Sequence, residues 1–305
     1  MVPFGRNILR PVTWSVAWAG LALALAFVST PRAGAHADLI LQIEELTKSI
    51  EKDSNNAELY LRRAHLRREH LEYDLSNADI EKAYLLSTNL VQIDLMRGRL
   101  YLEWGWPLSA RACLDRYLSQ EPKSADGLVL RARVLNRLNL QRASIQDYDR
   151  ALLLMPEPGP DLFVERAQAL MAGDREHWAA AVRGLDDGLK RLGPLVTLQL
   201  FAIDAELKLG NFDSAIARVD KIAERSPRKE TWLSRRGEIL VQAGRPAEAL
   251  KAYQSAQLAL QTLPPTRRNV PAMQELARRI QAQIDSLANL VKPGVPAGGA
   301  APLKP

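Results

Sequence analysis

A spacing of 34 residues between small side chains restricts what this chain can fold into. Pro122 and Pro156 lie 34 apart, and each closes a stretch that runs small residue, turn, small residue. Aligned on them, Gly98, Ala132 and Gly237 form one column, joined by Ala64 and Ala167. A second column holds Ala110, Ser144, Ala181, Ala215 and Ala249, and a third holds Ala83, Ala151, Gly188 and Ala256. Turn residues Gly105, Asn139, Gly210 and Gly244 fall between the first two columns, and Pro122, Pro156, Pro194 and Pro227 close the units. Two antiparallel helices approach closely only where side chains are short, so each column marks a crossing. Larger residues fill the gaps, such as Tyr101, Leu135, Leu170 and Leu240 on first helices and Leu114, Tyr148, Leu185 and Tyr253 on second helices. Stacked units of this kind bury a core that none could bury alone.

The composition agrees with helices. The 305 residues are 47% hydrophobic, 25% charged and only 6% aromatic, which suits neither a disordered chain nor a β-sandwich. One cysteine, Cys113, excludes an intrachain disulfide and a cysteine-based zinc cage. Of the 41 basic residues, Arg6, Arg10 and Arg32 fall in an N-terminal leader without acids, leaving 38 against 35 acidic residues. That balance is too even for a nucleic-acid footprint.

The period, with its helix, turn and helix, resembles the tetratricopeptide repeat. Six units start near Ala57, Val91, Ala125, Pro160, Val196 and Glu230 and cover residues 57 to 263. With the leader, the resemblance is to an exported bacterial member of that family. It implies an all-α, right-handed superhelical α-solenoid of about six repeats with capping helices. Three departures affect local geometry. The first unit lacks the turn glycine and the closing proline, the fourth carries about two extra residues around Gly173 to Trp178, and the fifth has Ile203 where a small residue is expected. Residues 38 to 56 read as an N-terminal cap, in which Ile43, Leu46 and Ile50 share one face. Residues 264 to 291 read as a C-terminal cap with a stripe of Met273, Leu276, Ile280, Ile284 and Leu287. A dimerising coiled coil is the rival reading of that stripe, which lasts only two to three heptads. Residues 292 to 305, with four prolines and three glycines, read as a disordered tail.

The resemblance implies that first helices line a concave binding face. One column there is nearly all apolar: Leu61, Leu95, Val129, Val164 and Leu200, then Ser234. Another, one turn on, drifts from basic to acidic through His65, Arg99, Arg133, Gln168, Asp204 and Glu238. This pattern leads us to expect a basic half and an acidic half beside an apolar stripe. Some family members clamp acidic C-terminal tails of chaperones through Lys, Arg and Asn on these faces. Here the apolar column occupies the places such a clamp would use.

Residues that could carry chemistry are few. His65 and His70 are five apart, whereas ligands on one helix face need three or four. His177 and Trp178 fall in the enlarged turn of the fourth unit, as a contact point or as an anchor for the loop. Trp104-Gly105-Trp106-Pro107 puts two indoles at one turn, either as an exposed recognition edge or as packing beside a proline that opens the second helix. Cys113 reads as a packing residue, and Asp147/Asp149 and Asp186/Asp187 read as solvated helix faces. The sequence has no phosphate loop, nucleophile elbow or zinc-protease helix. The reading is of a non-catalytic scaffold without cofactor or metal, binding another protein or an extended peptide. An envelope enzyme with an unrecognised site and a membrane-anchored assembly factor are the alternatives.

Residues 1 to 37 have the form of a secretory signal. Arg6 and Arg10 precede the uncharged run Val12 to Val28, and Ala35-His36-Ala37 supplies a small-x-small cleavage pattern before Asp38. The expected address is the periplasm. The alternative is an uncleaved anchor in the inner membrane facing the periplasm, since a run of about 17 apolar residues is at the lower limit for a span. Intact-mass measurement of the exported protein should give a chain beginning at Asp38. Retention of residues 1 to 37 in a membrane fraction would favour the anchor.

Overall fold

Short side chains at regular crossings produce a stack of helix pairs. The computed structural model describes residues 31–87 and 91–291. Most of the expected leader and all of the expected tail lie outside those residues. Helix α1 (Pro31–Lys52) is followed by six antiparallel pairs. These are α2 (Ala57–Glu69) with α3 (Tyr73–Leu86), α4 (Gln92–Trp104) with α5 (Pro107–Gln120), and α6 (Ala125–Arg137) with α7 (Gln141–Leu154). Next come α8 (Pro160–Met171) with α9 (Arg175–Leu192), α10 (Val196–Leu209) with α11 (Phe212–Arg225), and α12 (Glu230–Gln242) with α13 (Pro246–Gln261). A single turn, α14 (Pro265–Arg268), and α15 (Pro271–Val291) end the array. The result is an all-α solenoid.

The three small-residue columns are buried along their whole length. A Cβ on Gly98 would stand 2.5 Å from Leu114 Cγ, and one on Gly237 would stand 2.8 Å from the Tyr253 ring. Each small residue therefore makes room for the large residue facing it from the second helix. The fifth unit departs from this pattern: Ile203 and Val219, both buried in one cluster, hold the places that Gly98 and Leu114 hold in the second, so two branched side chains meet where a small residue elsewhere faces a large one. In the first and third units Ser76 and Ser144 donate their hydroxyls to the carbonyls of Ala64 and Ala132, at 2.7 and 2.8 Å. This pairs a polar group that the crossing would otherwise bury alone.

The turn inside each pair is a Schellman motif in five of the six units. Gly105, Asn139, Gly210 and Gly244 are left-handed, with φ between 58° and 90°. The next N–H, from Trp106, Leu140, Asn211 and Arg245, reaches back five residues to close each turn at 2.8 to 2.9 Å. The first unit, which lacks a turn glycine, makes the same motif with Leu71 at φ 65°, and Glu72 N–H bonds the Arg67 carbonyl at 2.8 Å. The fourth unit differs. Its extra residues do not enlarge the turn but lengthen α9 at its start, because Asp174 accepts from the backbone N–H of Glu176 and His177 and caps the helix there. His177 and Trp178 are thus in the first turn of α9 and not in a loop.

At the ends, Leu46 and Ile50 of α1 are buried toward α2, while Leu276, Ile280 and Leu287 of α15 join the cluster of Tyr253, Ala256 and Leu260. The α15 stripe is covered by this chain itself. Among the described residues, no helix is long and apolar enough to cross a membrane.

Two substitutions test this account. Leu71→Gly should stabilise the protein by about 0.5–1 kcal/mol, because relief of a left-handed leucine outweighs the extra chain entropy of glycine. A lower urea midpoint would contradict it. Ala151→Leu, at a fully buried crossing, should cost on the order of 1–3 kcal/mol by overpacking, read as a lower melting temperature.

Candidate functional site: the inner face of the solenoid

The curvature follows from which helices touch. First helices of neighbouring units pack directly, α2 with α4, α4 with α6 and α8 with α10, whereas no second helix makes comparable contact with the next second helix. The array therefore bends toward its first helices, which form the inner face.

The two sequence columns lie on these first helices, but their ends are closed off. Leu61 and Ser234 are buried at 5% exposure each, Leu95, Val129 and Val164 are half-buried, and Leu200 is exposed. The usable apolar stripe is thus Leu95 to Leu200. In the other column His65, Arg133, Gln168 and Asp204 are exposed, and Arg99 and Glu238 are half-buried.

The basic and acidic halves are not free patches. Arg99 donates to Asp126 at 2.5 Å and Arg133 makes a two-pronged bond with Glu165 at 2.8 and 2.9 Å, each acid belonging to the next first helix. Arg235 lies 3.6 Å from Asp204 and 2.9 Å from Glu238. Arg68 holds Glu103 in the same way at 2.6 and 2.7 Å. The counter-charges sit one helical turn or one unit away, which a reading of single columns does not reveal. At the N-terminal end, α1, α2 and α4 enclose a cleft of about 620 Å³ lined by Leu46, Ser49, Leu61, Arg62, His65 and Met96, among others.

Behind the inner face lies a ladder of partly buried arginines that the sequence reading missed. Arg63 and Arg131, two periods apart, make two-pronged bonds to Asp79 and Asp147 at 2.7 to 2.9 Å. Asp147 is 3% exposed, so it is an internal ion-pair partner and not a solvated face. Asp149 holds Arg166, Asp186 holds Arg218 and Asp187 holds Lys190, all three with partly or largely exposed carboxylates. The recurrence of Arg and Asp sixteen apart, repeated after 68 residues, was the available signal. Cys113 occupies the aspartate's place in the second unit. There Arg97 turns to Glu81 at 2.8 Å and lies over the Tyr84 ring, and its Nε is left without a hydrogen-bond partner. Burial pushes the Cys113 thiol above its ordinary range, as suits a packing residue.

Other buried titratable groups are held in the same structural way. Burial pushes Glu206 up despite Arg218 at 2.8 Å. Burial and the neighbouring Glu165 raise the Tyr148 phenol, whose hydroxyl bonds that carboxylate at 3.1 Å. His65 and His70 do not converge: His65 faces Glu69 at 3.7 Å and His70 faces Glu72 at 2.8 Å. Trp178 is half-buried under Lys208, whose Nζ is 5.2 Å from the ring centre. Trp104 and Trp106 stack at 4.1 Å beside Tyr73 and Tyr101, and Pro107 opens α5 as its position predicted. Among the described residues, no group of three or more His, Cys, Asp or Glu side chains is placed to hold a metal.

Known proteins share this architecture. A tetratricopeptide repeat model matches residues 95–162 and 202–264. The chain is similar to a tetratricopeptide repeat protein from Parabacteroides merdae, at 18% identity over 81% of this chain and 94% of that one, with a TM-score of 0.50. It is also similar to the C-terminal part of a repeat protein from Cytophaga hutchinsonii, at 17% identity over 84% and 92%, and to PilF of Pseudomonas aeruginosa, at 14% over 76% and 99%, both with a TM-score of 0.50. Likeness at such identities is likeness of fold. No curated protein matches the sequence significantly. The matched segments fall on the same helix pairs that the small-residue period marks out, and those segments are tetratricopeptide repeats within a fold of that kind.

Proposed function

We propose that the protein is a non-catalytic scaffold, exported to the cell envelope, which holds an extended polypeptide against its inner face. The observation that carries this reading is the pairing of charges beside the apolar stripe. Because Arg99, Arg133, Asp204 and Glu238 already hold partners, what the face leaves open is the apolar stripe from Leu95 through Val129 and Val164 to Leu200, with the uncharged amide of Gln168 beside it. An extended chain presenting aliphatic side chains at intervals matches such a stripe, and it gains affinity by removing apolar surface from water. Export rests on the leader alone, with Arg6 and Arg10 ahead of the uncharged run and Ala35-His36-Ala37 after it. The family's usual role as a platform for protein contacts fits both.

Crosslinking pull-down from an envelope fraction tests the proposal. Val164→Ser with Leu200→Ser should lower partner capture by roughly tenfold, on the scale of two aliphatic side chains removed from a contact. The loss should be similar at about 0.05 and 0.5 M salt, since no charge is altered. Capture at the wild-type level by a folded double variant would move the binding site off the inner face.

A further inference from the structure

Five exposed apolar residues of the first three units share one edge, while Tyr84, Leu85 and Leu153 lie at the far ends of their helices. Leu71 and Leu75 of the first unit, Trp106 and Leu108 of the second and Leu140 of the third are 40–72% exposed. All lie at the turns that join first to second helices. The same turns in the last three units carry Asp174 and Arg175, Asn211, and Arg245. A Schellman turn explains one face of Trp106, packed 5.6 Å from Tyr101, but not the 48% that stays open. Nor does the fold explain Leu71, a left-handed, 66% exposed leucine where three other units use glycine and one uses asparagine. Strain kept at an exposed position points to use of that position.

The N-terminal helix arrives at the same edge. Arg63 Nη1 donates to Thr47 Oγ1 at 2.9 Å, which fixes the antiparallel register of α1 and α2. Ile40 and Leu41, both exposed, then stand level with His70 and Glu69, next to Leu71. At 1.5 Å per residue, Pro31 lies roughly 14 Å beyond that level, and the sequence before it holds the uncharged run Val12 to Val28.

We propose that this edge seats on a lipid bilayer, with Leu71, Leu75, Trp106 and Leu108 entering the headgroup and acyl boundary. Tyr73, Tyr101 and Trp104 back Trp106, and an aromatic cluster with a polar rim is suited to that depth. Of the neighbouring charges, Arg68 pairs with Glu103 and His70 with Glu72, while Asp74 and Arg142, both exposed, stay among the polar headgroups, so apolar insertion drives the contact and zwitterionic lipid suffices. The residues involved all follow Asp38, and the contact therefore belongs to the chain with or without its leader. It leaves the inner face open to the aqueous side and does not depend on what that face binds.

The test uses the full chain in phosphatidylcholine vesicles, with Cys113→Ala removing the only thiol. Nitroxide labels are placed by Leu71→Cys, Leu108→Cys or Leu140→Cys, with Leu153→Cys and Leu258→Cys as references at the opposite ends of second helices. The ratio of collision with oxygen to collision with a water-soluble nickel chelate should be several-fold higher at 71, 108 and 140 than at 153 and 258. Equal, aqueous ratios at all five would overturn the proposal, as would spin coupling between copies at 108, which would make the edge a self-association face. A second measurement guards against a label that disturbs folding. Quenching by brominated phosphatidylcholine, taken as the difference between wild type and Trp106→Leu, should show Trp106 in reach of the acyl chains, and no difference would likewise overturn the proposal.

Discussion

The structure depends on the close approach of two helices at residues with little or no side chain. Gly98 against Leu114 and Gly237 against Tyr253 leave no space for another carbon, and a small residue stands at the same crossing in five of the six units. Close packing at that point brings successive pairs near enough to share a core. Half-buried Leu95, Tyr101, Ile145 and Leu152 each touch more than one buried cluster and so join neighbouring units. Loss of one crossing is therefore felt by the units on either side.

Because the crossing repeats, most of the architecture is legible in the sequence. Small residues, turn residues and closing prolines recur at a period that no other arrangement explains. Ile203, which breaks the first column, is buried all the same and packs in one cluster with Val219. What escapes a reading by columns are relations between different columns. Arg63 with Asp79 and Arg131 with Asp147 join positions sixteen apart, and Arg99 with Asp126 joins positions twenty-seven apart. Each residue alone has the pattern of a solvated charge. The extra residues of the fourth unit are visible in the sequence, but not their place: Gly173 has the pattern of a turn, while Asp174 has the side chain to cap a helix and start it earlier.

For the candidate site, the sequence shows which residues share the first-helix face but not what each of them is paired with. First helices do line the inner face, and the apolar column runs along it. Its charge, however, depends on pairs between helices, and these convert an apparent gradient into a neutral surface with an apolar centre. The N-terminal edge reads in the opposite way. Trp106 and Leu140 have a local reason to be apolar in their turns, and only their exposure beside Leu71 and the end of α1 sets them apart.

The bonds between consecutive first helices also bear on the shape of the whole superhelix. Arg68 with Glu103, Arg99 with Asp126 and Arg133 with Glu165 all span the inner face from one unit to the next, so any widening of the groove must lengthen them. Exposed pairs of this kind contribute under about 1 kcal/mol each and weaken with salt. They act as soft ties along the inside of a spring, which slacken as ionic strength rises.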